Sequence, residues 1–283
     1  MGSLRQELWD AANHVVEGDL FRHPPLARHA DDVAVVLGGS AATEDCDEYS
    51  GCDLFVFVAG HAEHSGLGHW QEVRRGGFHY RFLVDDVETF RGAVAQGDDA
   101  ALYLLTKGRV ISDPGAMLAG VWESNQLSAD LWTMKIAERY RALRQRRASL
   151  AWSLRRGQMI AVLDNLRLVL EHGLACCFYL DGQPAPPSKW LFRGALRTGA
   201  GRAVRVTVFE LLSSLGDLAM LGGSMNLHHN LVYQRVSRFQ TELEQRLVAA
   251  GYPIPGLARL STREAMHGME ERTPRLRTRR RQA

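Results

Sequence analysis

DDVAVVLGGSAATEDCDEYSGCDLFVFVAG, residues 31–60, is the stretch on which the fold turns. Val33 to Leu37 is an unbroken apolar run, and Gly38, Gly39 and Ser40 follow it directly, the pattern of a buried strand that ends in a tight turn. A second strand begins at Cys52, where CDLFVFVAG (52–60) is β-branched and aromatic, and a third is expected in GFHYRFLVDD (77–86), opened by Gly76 and Gly77. From Val87 the pattern becomes helical, with two short helices, a brief strand around Arg109 to Ser112, and a stop at Asp113 and Pro114. Upstream, MGSLRQELWDAANHVVEG reads as an amphipathic helix.

Beyond about Ser128 the period lengthens. SADLWTMKIAERYRALRQRRASLAWSL and GQMIAVLDNLRLVLEHGLACCFYL carry apolar residues at three- and four-residue intervals, which predicts two long packed helices. DGQPAPPSKW (181–190) must leave the helix at Pro184, Pro186 and Pro187, and further helices are expected near Trp190, over 204–221 and over 226–250. The expected fold class is therefore α+β: a small mixed-sheet domain over residues 1–120, then an all-helical bundle over 121–262. A basic tail follows over 263–283, whose run 272–281 holds six arginines and no acid. Such an end is by default solvated, and it carries no functional expectation.

The 283 residues, 46% of them hydrophobic, can bury cores without staples, and a net charge of +2 gives no reason to expect nucleic acid as a partner. Cys46, Cys52, Cys176 and Cys177 form no metal or disulfide spacing. The start lacks the basic and apolar blocks of a secretory signal, and no run is long enough to span a bilayer, so a cytoplasmic protein without membrane contact is expected.

The segment 38–54, GGSAATEDCDEYSGCDL, resembles the opening motif of the nucleotidyltransferases of the DNA polymerase β type. There a Gly-Gly-Ser turn leads, after a short loop, to Ser-Asp-x-Asp-Leu. DGQPAPPSKW is similar to the proline-rich break that precedes Lys-Trp in aminoglycoside-type relatives. The resemblance implies that Gly38, Gly39 and Ser40 cradle phosphate, glycine amides approaching its oxygens and the hydroxyl adding a donor. It implies that Lys189, one of three lysines beside Lys107 and Lys135, faces nucleotide phosphates. It also implies Mg²⁺, ATP or another nucleoside triphosphate, and a small-molecule substrate.

Two-metal transfer needs several hard oxygen ligands. The family sets two of them as Asp-x-Asp, so that both face one way. This chain reads Gly51-Cys52-Asp53, and the neighbouring strand, from which a third acid is drawn, offers His79 and Arg81 or Phe78, Tyr80 and Phe82. Asp53 is the one motif carboxylate left for metal. Asp45, Asp47 and Glu48 could stand in, although loop acids are by default solvated. Arg81 suggests another device, a planar guanidinium in place of a metal's charge. His79, with His61, His64 and His69 nearby, could serve as base or ligand, against a default of exposed polar residues. His228, His229, Asp164 and Glu171 fall by default to ordinary helix positions.

The expected function is a divergent enzyme of this fold acting on a small metabolite in the interdomain cleft without the two-metal site, with Asp53, Arg81 and His79 as catalytic candidates. The alternatives are Mg²⁺-dependent transfer of a nucleoside monophosphate to a small-molecule hydroxyl, and a non-catalytic binding or regulatory module.

Overall fold

The computed structural model describes residues 2–20, 32–59, 70–124, 127–214 and 227–252. Val33–Gly38 (β1) is buried along its whole length and lies inside a sheet that has five strands among the described residues, as an apolar run without alternation requires. Cys52–Val58 (β2) runs antiparallel to it, and Phe78–Asp86 (β4) runs parallel to β2. Trp70–Arg75 (β3) forms one edge against β4, and Arg109–Ser112 (β5) forms the other against β1, giving the order β3-β4-β2-β1-β5. Gly76 and Gly77 join β3 to β4 with φ of 57° and 85°, the left-handed pair that a tight hairpin turn demands. Residues 72–75 are exposed.

The two faces of the sheet bury different partners. Gly2–Val15 (α1) sets Leu8, Ala12 and Val15 against Leu37, Leu54, Val56 and Tyr80. The other face, with Ala34, Val36 and Phe57, is covered by Val87–Ala95 (α2), Asp99–Lys107 (α3) and Ala119–Ser124 (α4) through Phe90, Leu102 and Val121. Asp86 accepts from the Glu88 and Thr89 amides and Asp98 from the Ala101 amide, so α2 and α3 each begin at a capping aspartate.

Ala129–Arg155 (α5) and Met159–Leu180 (α6) form a long antiparallel hairpin of 27 and 22 residues. Ser188–Ala195 (α7), Gly199–Ser213 (α8) and Leu231–Ala249 (α9) complete a bundle with its own core. Gly173 lets α6 approach α9, since a Cβ there would stand 2.5 Å from the Phe239 ring. Burying side chains such as Leu143 and Phe239 contributes about 1.5–3 kcal/mol each. The chain is thus α+β, a mixed sheet with its helices followed by a helical bundle. Among the described residues no helix is long and apolar enough to cross a membrane.

Sequence reading and structure agree on β1, β2, β4 and β5 and on the two long helices. Strand β3 was not expected. The histidines His61, His64 and His69 and the arginine-rich end lie outside the described residues.

Candidate functional site

The turn after β1 and the acid that opens β2 meet by register, because Gly38 and Asp53 are paired across the two strands. Gly39 holds φ 63° and ψ −155°, a backbone region that side chains avoid, and an added Cβ would collide with the Asp53 carboxylate. Ser40 is buried at the start of the 3-10 turn Ser40–Ala42, and its carbonyl accepts the Thr43 amide at 3.0 Å.

Asp53 is also opposite Arg81, in the parallel pairing of β2 with β4. The Arg81 Nε donates to Asp53 Oδ1 at 2.6 Å, and an Nη of the same guanidinium pairs with that oxygen. Side-chain exposures of 16% for Asp53 and 33% for Arg81 place the pair at the open end of the sheet. His79, two residues before Arg81 and on the same face, has its Nε2 3.5 Å from Glu72 Oε2. The His79 carbonyl also closes the space over Gly51, where a Cβ would stand 2.7 Å away. Cys52 points to the opposite face, and burial, reinforced by the Asp53 charge, pushes its thiol up to about 12.

The structure therefore brings Gly38, Gly39, Asp53, Arg81 and His79 to one end of the sheet. Ser40 is next to them in the chain but turned into the protein. Asp47 caps its own loop, with Oδ1 accepting from the Tyr49 amide at 3.1 Å and the Ser50 hydroxyl at 3.0 Å, while Glu48 is exposed. Asp45 pairs with Arg197 of the bundle at 2.7 Å. Lys189 is exposed in the first turn of α7, 5.7 Å from the Trp190 ring centroid, because Leu191 and Ala195 are the residues that this helix turns inward. On α6, Glu171 and Asp164 both pair with Arg167 of the same helix. His229 is exposed.

A cavity of about 480 Å³ lies between sheet and bundle. It is lined from one side by the loop Ala42–Asp45, the end of α3 and the start of β5, and from the other by Phe178, Pro184, Pro186 and Arg197. Neither Asp53, Arg81 nor Lys189 lines it. Its cations include Arg5, Lys107 and Arg109, of which the sequence reading singled out none for a site. Lys107 and Arg109 flank Gly108 and form a visible basic pair, whereas nothing local marks Arg5.

A second charged cluster joins the modules. Asp99, the first residue of α3, receives Lys135 Nζ at 2.8 Å, Tyr179 Oη at 2.6 Å and the Arg139 guanidinium. Lys135 Nζ also donates to the Gly97 carbonyl at 2.6 Å. Burial alone would raise the Asp99 pKa, but hydrogen bonds from Lys135 and Tyr179, the Lys135 charge and the Arg139 bond together hold it below the usual carboxylate range.

No protein-family model matches this chain, and no curated protein matches it. Among solved structures the chain is similar to the crystal structure of a nucleotidyltransferase-like protein from Exiguobacterium sibiricum 255-15. The two share 13% identity, the match covers 92% of this chain and 80% of that one, and the TM-score is 0.46.

Proposed function

We propose that this chain is a divergent nucleotidyltransferase-like protein that takes a small charged metabolite between its two modules without a divalent cation. The observation that carries the metal-independent part of this reading is the Asp53–Arg81 pair, which lies outside the cavity and in which a guanidinium stands beside the one motif carboxylate. Two Mg²⁺ ions need several oxygen ligands in near-octahedral arrangement. Here position 51 is a glycine with no room for a side chain, position 81 is a cation, and the acid between them is already neutralised. That donor set does not suit a metal pair. The cleft needed for a small ligand is present, and its volume falls in the range of small-molecule sites.

Thermal unfolding and calorimetry with ATP, in Mg²⁺ and in EDTA, test the reading. The native chain is expected to unfold at the same temperature with either addition. Arg81→Ala, which leaves a mostly buried carboxylate without its partner, is expected to lose about 1–3 kcal/mol and to recover part of it in Mn²⁺ or Mg²⁺. Binding of ATP by the native chain only with Mg²⁺, abolished by Asp53→Ala, would overturn the proposal in favour of two-metal transfer.

A further inference from the structure

Two of the cations that line the cavity, Arg109 and Arg5, lie on the other face of the sheet from Asp53 and Arg81. Arg109 is paired with Leu37, and Leu37 belongs to the core under α1. Asp53 and Arg81 alternate instead with Leu54 and Phe82 of that same core, so their side chains leave from the opposite face.

Three cations line the cavity from three elements: Arg5 from α1 and Arg109 from the start of β5 on that face, and Lys107 from the end of α3, the helix that covers the opposite face. Among the described residues none of the three has a carboxylate partner. Arg5 donates one Nη to the Ala42 carbonyl at 3.1 Å, and its buried Nε has no hydrogen-bond partner among the described residues. The Arg109 guanidinium lies over the Trp9 ring, 3.8 Å from its centroid, a cation–π contact that uses none of its N–H donors in a conventional hydrogen bond. Burial, and then the neighbouring Arg5 charge, hold Arg109 below the usual guanidinium pKa. The acids of the cavity are engaged elsewhere or exposed: Asp45 with Arg197, Asp181 with the Gly199 amide at 2.9 Å, and Glu44 in solvent.

We infer that this cavity is an anion site for a phosphate-bearing small molecule, its phosphoryl oxygens held by Arg5, Lys107 and Arg109. Like charges crowded at a concave wall repel one another, and an anion with several oxygens relieves the repulsion while satisfying the free donors. The remaining volume, bounded by Phe178, Pro184 and Pro186, accommodates the less polar part of such a molecule.

Calorimetric titration of the full chain with inorganic pyrophosphate in EDTA at low ionic strength tests the assignment. One saturable site is expected, weakened about tenfold by Lys107→Gln and by Arg109→Gln. Arg141→Gln, an exposed change on α5, is expected to leave it intact. Lys107 is itself exposed, so its variant keeps the fold and guards against loss of structure in the Arg109 variant. Absence of saturable binding overturns the site. So does equal weakening by all three variants, or weakening by Lys189→Gln or Arg81→Ala alone. Tighter binding of citrate than of pyrophosphate would overturn the phosphate assignment in favour of a carboxylate. Pyrophosphate binding that requires Mg²⁺ but still depends on Lys107 and Arg109 would sustain this site while overturning the metal-independent function proposed above.

Discussion

Two aspartates in this protein meet cations in opposite settings. Asp53 has one partner, Arg81, on the adjacent strand at the open end of the sheet. Asp99 has three, Lys135, Arg139 and Tyr179, drawn from two helices of the bundle, and the Lys135 side chain is only 7% exposed. The first arrangement leaves polar groups near solvent, where a ligand can compete for them. The second saturates a carboxylate between modules and acts as a bolt. Charged residues alone therefore do not mark a site; what separates the two cases is how many of the donors are already satisfied.

The largest effect should come from the bolt. Asp99→Asn leaves Lys135 and Arg139 without a counter-charge and is expected to cost about 3–5 kcal/mol in urea unfolding at neutral pH. Folding lowers the Asp99 pKa, so its contribution is complete above the ordinary carboxylate value and disappears as pH falls through the lower folded one. The gap between native chain and variant should close over that acid range. A variant as stable as the native chain would remove the distinction drawn between the regions.

Gly39→Ala sharpens the other side. Its backbone angles are strained for any side chain and its Cβ would strike Asp53, so a loss of about 1–3 kcal/mol is expected by the same measurement. Unchanged stability would mean that the turn is not pressed against the acid. The smallest change is Tyr179→Phe, expected to cost about 1 kcal/mol because Lys135 and Arg139 continue to satisfy Asp99. A loss equal to that of Asp99→Asn would make the hydroxyl, rather than the charge, the centre of the bolt.

How much could be read beforehand follows from the range of each interaction. Val33 to Leu37 and the residues after Cys52 announce strands because their burial is written into consecutive positions. WQEVRR in β3 does not, since an edge strand with exposed residues has no buried face to impose alternation. At the site, Gly39, Asp53 and Arg81 could be named from the motif, but the contact between Asp53 and Arg81 depends on the parallel register of β2 and β4, which no local pattern states. The Asp99 cluster was illegible for the same reason: Arg139 and Tyr179 lie 40 and 80 positions away. In the sequence Lys135 stands out only as one of three lysines. The cavity has no local signature because Arg5, Lys107 and Arg109 converge only once α1 packs across the sheet.

The outer strands carry one more implication. β5 is only four residues long, and β3 presents Glu72, Arg74 and Arg75 toward solvent along its exposed length. A further strand docking on either side would find too few backbone groups at one margin and would have to tolerate packed charge at the other. The sheet is thereby guarded against edge-to-edge growth, which keeps self-association by strand addition from competing with native folding.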